Sequence, residues 1–236
     1  MGDVNQLHYI QRYATLFAGP YLEVGSLDYG STQDLRSLFG SGGVYVGVDL
    51  REGAGADVVL DLVGDFQTIQ EKLGGLRFGT IFCLSVLEHC EQPFRMAENL
   101  TRLLKPGGVL CVSVPFAWKF HGYPNDYWRF TQEGVKKLFP ILEFDLRAAV
   151  AATSQEGDCR PLGEDVGKIA FSSKYHRKTG HPLRGISAGF LKALARFGVW
   201  RWLCGYRYVL APTNIFMVGT LPLPDRAPMH QEEPPP

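Results

Sequence analysis

YLEVGSLDYGS, residues 21–31, is a short apolar strand that runs into a turn with glycine at 25 and 30. Glycine lets a chain reverse sharply and lets backbone N–H groups approach a ligand closely. A helical pattern at Leu35, Leu38 and Phe39 follows, and would offer its N-terminal dipole to the same point. Taken alone, the stretch reads equally as an ordinary strand-to-helix turn. Its spacing is not G-x-G-x-x-G, so the dinucleotide fingerprint is missing. The segments around it decide the fold. VYVGVDL (44–50) is a β-branched strand broken at Arg51-Glu52-Gly53, and ADVVLDL (56–62) is another. Phe66, Ile69 and Leu73 mark a short helix. GTIFCLSV (79–86) has the continuous apolar run of a buried strand. Pro93 then opens a helix with Phe94, Ala97, Leu100 and Leu104 inward, closed by KPGG (105–108). VLCVSVPF (109–116) is the next strand, and Thr131 caps a helix through Val135, Leu138 and Phe139. EFDLRAAVA (143–151) and NIFMVGTLP (214–222) read as late strands, and Leu7, Ile10, Ala14 and Phe17 as an amphipathic first helix. Strands alternating with helices predict a mostly parallel α/β sheet with helices on both faces. Ligands of such sheets sit at the carboxyl ends of the strands.

The bulk properties agree. A chain of 236 residues is one domain, or one with a sizeable insertion. With 45% hydrophobic and 20% charged residues it can bury a full core. Twenty-four basic residues balance twenty-four acidic ones, so no overall field favours nucleic acid. Cys83, Cys90, Cys111, Cys159 and Cys204 lie at least seven positions apart and are odd in number, which speaks against zinc knuckles and a disulfide framework. The first residues lack a basic-then-apolar leader, and no uncharged apolar run reaches the roughly 18 residues of a membrane span. The expectation is a cytoplasmic protein. The neutral total conceals a split, however. Arg160 to Arg207 hold ten basic and two acidic residues, and the remainder holds 14 and 22.

The strand ends carry acids. Glu23 stands in the first strand, Asp49 closes the second, 24 positions after Gly25, and Asp61 closes the third. A carboxylate at the second position can accept both hydrogen bonds of a ribose diol. Each acid alone reads as a solvated strand-end cap; three at successive ends beside a glycine turn point to a nucleoside.

In order, YLEVGSLDYGS, YVGVDL, ADVVLDL, FGTIFCLSVLEHCEQP and LLKPGGVLCVSVP resemble the successive motifs of class I S-adenosylmethionine-dependent methyltransferases. The likeness covers about residues 20–150 and the strand at 214–222, and SVLEH and KPGG point to the small-molecule (type 11-like) subgroup. PFAWKFHGYPNDYWRFT is similar to a segment of bacterial members tied to glycan or secondary-metabolite pathways. The resemblance implies a Rossmann-like seven-stranded sheet in one domain over 1–222, with an insertion near 155–212 and a tail at 223–236 whose composition is that of disorder. It implies S-adenosylmethionine as cofactor, with Glu23, Gly25 and Ser26 at its methionine moiety. Asp49 would hold the ribose, Leu50 would pack on adenine, Asp61 and Leu62 would border the ring, and Ser85 and Val86 would close the pocket near the sulfonium. One departure is plain. The compact glycine triplet is replaced by Ser26-Leu27-Asp28-Tyr29 before Gly30, so Asp28 or Tyr29 can reach a ligand in place of bare backbone.

Methyl transfer to a hydroxyl benefits from a general base, and histidine suits that role near neutrality. His121 follows the fifth strand among Trp118, Phe120, Tyr123, Asp126, Tyr127, Trp128 and Arg129. It reads as the base, or as a loop-packing residue; Trp118, Tyr123, Asp126 and Tyr127 would line the acceptor pocket. His89, in SVLEH, is the second candidate, with a helix-capping role as its alternative. No His/Cys/Asp group has metal-ligand spacing, so no metal is expected. In the basic segment, Ile186, Phe190, Leu194, Phe197, Trp200 and Leu203 recur at spacings of three and four. This helical insertion before the last strand reads as a cap whose Arg177, Lys178 and Arg184 hold an anionic acceptor, as a peripheral membrane patch, as a dimer contact, or as a helix packed on the core. An amine acceptor, a nicotinamide-dependent oxidoreductase and a non-catalytic module are the competing functions.

Overall fold

The computed structural model describes residues 4–30, 35–40, 43–122, 124–163, 166–170, 172–194 and 208–224. Strands β1 (Tyr21–Val24), β2 (Tyr45–Asp49), β3 (Val58–Val59), β4 (Phe78–Leu84) and β5 (Leu104–Ala117) form a parallel half-sheet in the order β3-β2-β1-β4-β5. The last strand, β11 (Thr213–Thr220), lies antiparallel beside β5, and β7 (Val150–Thr153) lies antiparallel beside β11. Alternation along β1 and β4 sends Leu22, Val24, Ile81 and Cys83 into one core and Tyr21 and Phe82 into the other. The first core is covered by α3 (Phe66–Lys72), α4 (Pro93–Leu103) and α5 (Gln132–Leu138). The second is covered by α1 (Val4–Arg12) and α2 (Leu35–Phe39). The expected Rossmann-like layering is present.

Among the described residues the sheet has nine strands rather than seven, for two local reasons. EFDLRAAVA is split, because Asp145 turns the chain: its Oδ1 accepts the Arg147 N–H at 2.9 Å and its carbonyl accepts the Ala148 N–H at 3.1 Å. The pieces, β6 (Glu143–Phe144) and β7, pair with the same side of β11, and so count as one interrupted strand. β8 (Cys159–Pro161) is the true addition, folding back antiparallel on β7.

Other boundaries shift as well. ADVVLDL keeps only Val58–Val59 in the ladder, since Asp61 forms a turn with the Val63 N–H at 2.9 Å. KPGG bulges inside β5 instead of ending α4, as Phe78 pairs Leu104 while Thr80 pairs Val109. Phe94 is exposed; Met96, Ala97, Leu100 and Leu103 form the inward face of α4. Thr131 does cap α5, accepting the Gly134 N–H at 3.1 Å.

The insertion adds β9 (Lys168–Ala170), α6 (Ser173–Lys178), α7 (Pro182–Leu194) and β10 (Tyr208–Leu210), with β9 and β10 paired antiparallel. Thr213 is opposite both Ala117 and Thr153. The chain therefore enters and leaves this region at the carboxyl edge of β5. Phe197, Trp200 and Leu203 of the expected apolar stripe lie outside the described residues, as does the tail beyond Pro224.

Candidate active site

The parallel half-sheet ends in a set of loops that touch one another. Gly25 has φ +72°, and a Cβ there would lie 2.7 Å from Val86 Cγ2, so the β1 turn and the β4 end meet on bare backbone. Gly47, inside β2, is similarly hemmed: its Cβ would lie 2.3 Å from the Gly55 carbonyl and 2.6 Å from Ser26 Oγ. Ser26 is buried with its hydroxyl unpartnered. A buried hydroxyl without a hydrogen bond is costly, and so is a natural ligand contact. Among the described residues, Asp49 accepts two backbone N–H groups, from Leu27 at 3.4 Å and Arg51 at 3.1 Å. Beside it Leu50 is 64% exposed, an apolar side chain open for a ring to cover.

Three expected cofactor residues have partners or surroundings within the chain. Glu23 accepts the Tyr45 hydroxyl at 2.7 Å. Asp28 is spent on its own turn, accepting the Gly30 N–H at 2.7 Å, while its N–H donates to Ala54. Leu62 is 3% exposed within the core, so its side chain cannot border a ring at the surface; Asp61 is the exposed member of that pair.

On the acceptor side, the loops after β4 and β5 bring His89 and His121 together, with ring centroids 5.0 Å apart. His121 Nδ1 lies 3.2 Å from Asp126 Oδ2 and 3.2 Å from the Lys119 carbonyl. Both of these neighbours are acceptors, so in the neutral ring the proton belongs on Nδ1 and the lone pair on Nε2. Asp126, expected to touch substrate, instead has a fully buried carboxylate. It is held by Arg129 at 2.5 and 2.8 Å and by the His121 N–H at 2.9 Å. The Arg129 hydrogen bonds hold this carboxyl well below the usual range. Arg129 also donates to the carbonyls of Trp118, Lys119 and Trp128, so one guanidinium fixes the loop that presents His121. Tyr127 is exposed, Trp118 is half-buried, and Tyr123 lies outside the described residues. Arg177 and Lys178 are on α6 and Arg184 is on α7.

Two site residues, Glu88 and Gln6, escaped the sequence reading. Glu88 is 1% exposed with Oε2 unpartnered, and burial pushes its carboxyl up to about 8. His89, whose Nδ1 bonds the Asn125 carbonyl at 2.6 Å, is lowered by burial. Gln6 of α1 donates to Ser85 Oγ at 2.8 Å and to Ser113 Oγ at 2.9 Å, across the ends of β4 and β5. Ser85 itself has φ +53°, an uncommon backbone for a side chain outside glycine, at the end of a strand that points to the site. The expectation of no metal-ligand grouping needs correction. Ligand atoms of Glu88, His89 and His121 lie within 4.8 Å of one another, close enough to gather round a cation. Sequence spacing could not show it, because the two histidines are 32 positions apart.

Residues 22–112 match the family described as a methyltransferase domain. The matched segment and the sheet order resemble those of the class I S-adenosylmethionine-dependent methyltransferases. Over 118 residues the chain is 32% identical to a ubiquinone biosynthesis O-methyltransferase of Coxiella burnetii, across 46% of the chain and 49% of that protein. It thus spans about half the length of the curated relatives it matches. Among solved structures it resembles a SAM-dependent methyltransferase from Archaeoglobus fulgidus, with a TM-score of 0.54 and 15% identity over 93% of this chain and 95% of the other. It also resembles the 1,6-didemethyltoxoflavin-N1-methyltransferase of Burkholderia thailandensis, solved with S-adenosylhomocysteine, with a TM-score of 0.51 and 11% identity over 93% and 78%. At such identities the likeness is one of fold. The donor set fits the cofactor of the class: bare backbone at Gly25, an unpartnered buried hydroxyl at Ser26, the Asp49 carboxylate and the open Leu50 side chain.

Proposed function

We infer that this methyltransferase transfers a methyl group from S-adenosylmethionine to a hydroxyl of a small molecule or glycan, with His121 as general base. The observation that supports the base is the Asp126–His121 contact at 3.2 Å, which leaves Nε2 as the proton acceptor. The curated relatives are O-methyltransferases by name, which favours oxygen over nitrogen.

When bound, the cofactor supplies an electrophilic methyl group on its sulfonium. Gly25, Ser26 and Val86 would line its methionine end, Asp49 its ribose, and Leu50 and Asp61 its adenine. The chain's own work is alignment and proton removal. Good alignment is worth about 7–11 kcal/mol of a barrier. A positioned base adds about 10²–10⁴-fold. Arg129 holds Asp126, Asp126 holds His121, and Gln6 fixes Ser85 and Ser113 at the strand ends beside it. His89, which donates from Nδ1 to the loop carbonyl of Asn125, acts as a positioning residue.

The test is incubation of methyl-labelled cofactor with cell extract, identification of the labelled product by mass spectrometry, and turnover of that acceptor by His121→Gln. A methylated hydroxyl with turnover reduced about 10²–10⁴-fold is the expected result. A methylated amine with near-full turnover in the variant would replace this reading with N-methylation by alignment alone.

A further inference from the structure

Helix α7 faces the wrong way for a core helix. Its small residues meet the protein: Gly185 and Ala188 are buried, and a Cβ on Gly185 would lie 3.0 Å from the Ser173 carbonyl and 3.5 Å from His176 Cβ. Its large residues face out. Leu183, Ile186, Phe190 and Leu194 are 78%, 63%, 65% and 51% exposed, at spacings of three, four and four. That spacing makes a single stripe, and Leu191 extends it, also more than half exposed. A contiguous apolar stripe on a soluble surface marks an interaction site.

The charge around the stripe narrows the partner. Residues 166–194 contain six Lys or Arg and no Asp or Glu. Five of them, Lys174, Arg177, Lys178, Arg184 and Lys192, are exposed on α6 and α7. A second copy of the chain seated on this face would bring two such cationic segments together. An acidic surface with an apolar interior suits both features at once.

We propose that α6 and α7 are a docking site for an anionic phospholipid membrane. α7 lies in the headgroup layer, with Leu183, Ile186, Phe190 and Leu194 directed into the acyl boundary. The flanking cations meet the headgroup phosphates, an attraction that falls off within a Debye length. Arg177, Lys178 and Arg184 thereby serve the surface rather than a soluble anionic acceptor. The helix lies on the membrane and does not cross it: 13 residues at about 1.5 Å each reach about 20 Å, short of a bilayer core. Among the described residues no helix is long and apolar enough to span. Both tethers of the insertion are at the edge that carries His121, so docking holds the acceptor side of the sheet near the surface. The assignment does not rest on the role of His121.

The test is co-sedimentation of the full chain with vesicles of phosphatidylcholine alone and with about one-third phosphatidylglycerol. Binding is expected to the anionic vesicles, to be weak on the neutral ones, and to fall as salt rises. Ile186→Ser with Phe190→Ser should lower the partition coefficient about tenfold or more. Unchanged S-adenosylhomocysteine affinity shows that this variant is folded; if it is not, Lys174→Gln with Lys192→Gln should lower anionic binding alone. No binding to either vesicle, equal binding to both at every salt, or full binding by a folded variant would each overturn the proposal. So would a concentration-dependent dimer in sedimentation velocity that the double serine variant dissolves, which would give the face to a second copy.

Discussion

The two halves of the sheet are built on opposite terms. From β3 to β5 the strands are parallel, largely buried from β2 onward, and end in loops that touch through glycine backbone at 25, 47 and 55. From β11 to β8 they are antiparallel, and the insertion they carry holds most of the excess positive charge and turns its large side chains outward. On the proposed function, the first half would meet the same cofactor in every reaction, so its loops can close on each other at van der Waals distance. The second would meet the acceptor, so its surface is free to follow it. Histidines 89 and 121 lie at the seam between the halves.

Experiments can strain that division from its most sensitive point outward. The largest effect is expected at the seam: His121→Gln should lower turnover by about 10²–10⁴-fold while calorimetry with S-adenosylhomocysteine shows unchanged affinity. Equal losses in both would mean that the loop supports the cofactor half. Next is Asp49→Ala, which removes a charge-assisted pair of hydrogen bonds and should cost about 1.5–3 kcal/mol of cofactor affinity. The fold should stand, since a strand-end carboxylate adds little to the core. Unaltered affinity in the folded variant would move the ribose elsewhere.

A smaller effect concerns Glu88. Its carboxyl is pushed up to about 8 in the folded chain, against about 4.3 when unfolded. Between those values the folded state keeps a proton that the unfolded state releases, so wild-type stability declines as pH rises through the window and levels off above it. Glu88→Gln lacks that proton. Its stability relative to wild type should therefore grow by about 1 kcal/mol per pH unit from about pH 5 to 8, read by denaturant unfolding at three pH values. A constant difference would remove the buried neutral carboxyl. The smallest effect is none at all: chelation should leave turnover intact if His121 is a base. Loss on chelation with rescue by a divalent cation would turn Glu88, His89 and His121 into ligands and end the base assignment.

The cofactor half was largely readable in the sequence, because its signals are local. A continuous apolar run, a proline at a helix start and a threonine cap each act within a few residues, and β1, β2, β4, α4 and α5 follow from them. Asp49 was legible for the same reason, as an acid at a strand end. The failures were also physical. ADVVLDL has strand composition throughout, but the Asp61 turn withdraws Leu60 and Leu62 into the core. The acceptor side was hardest. Asp126 looked like a ligand among aromatics, and only three dimensions show that Arg129 consumes it. Glu88 gave no sign of burial, sitting between a leucine and a histidine. Gln6 could not be found at all, since its partners are 79 and 107 residues away.

That distance bears on the order in which the chain can assemble. The amide of Gln6 waits for Ser85 and Ser113, and its neighbour Asn5 donates to the carbonyls of Thr153 and Gln155 and accepts the Gly157 N–H. During synthesis α1 leaves the ribosome before any of these exist. These bonds can form only after more than 150 further residues have followed, and the β11 strand that Tyr9 packs against comes later still. The segment translated ahead of the whole sheet is thus fastened late, and replacing its two amides should loosen α1 before it disturbs the strands.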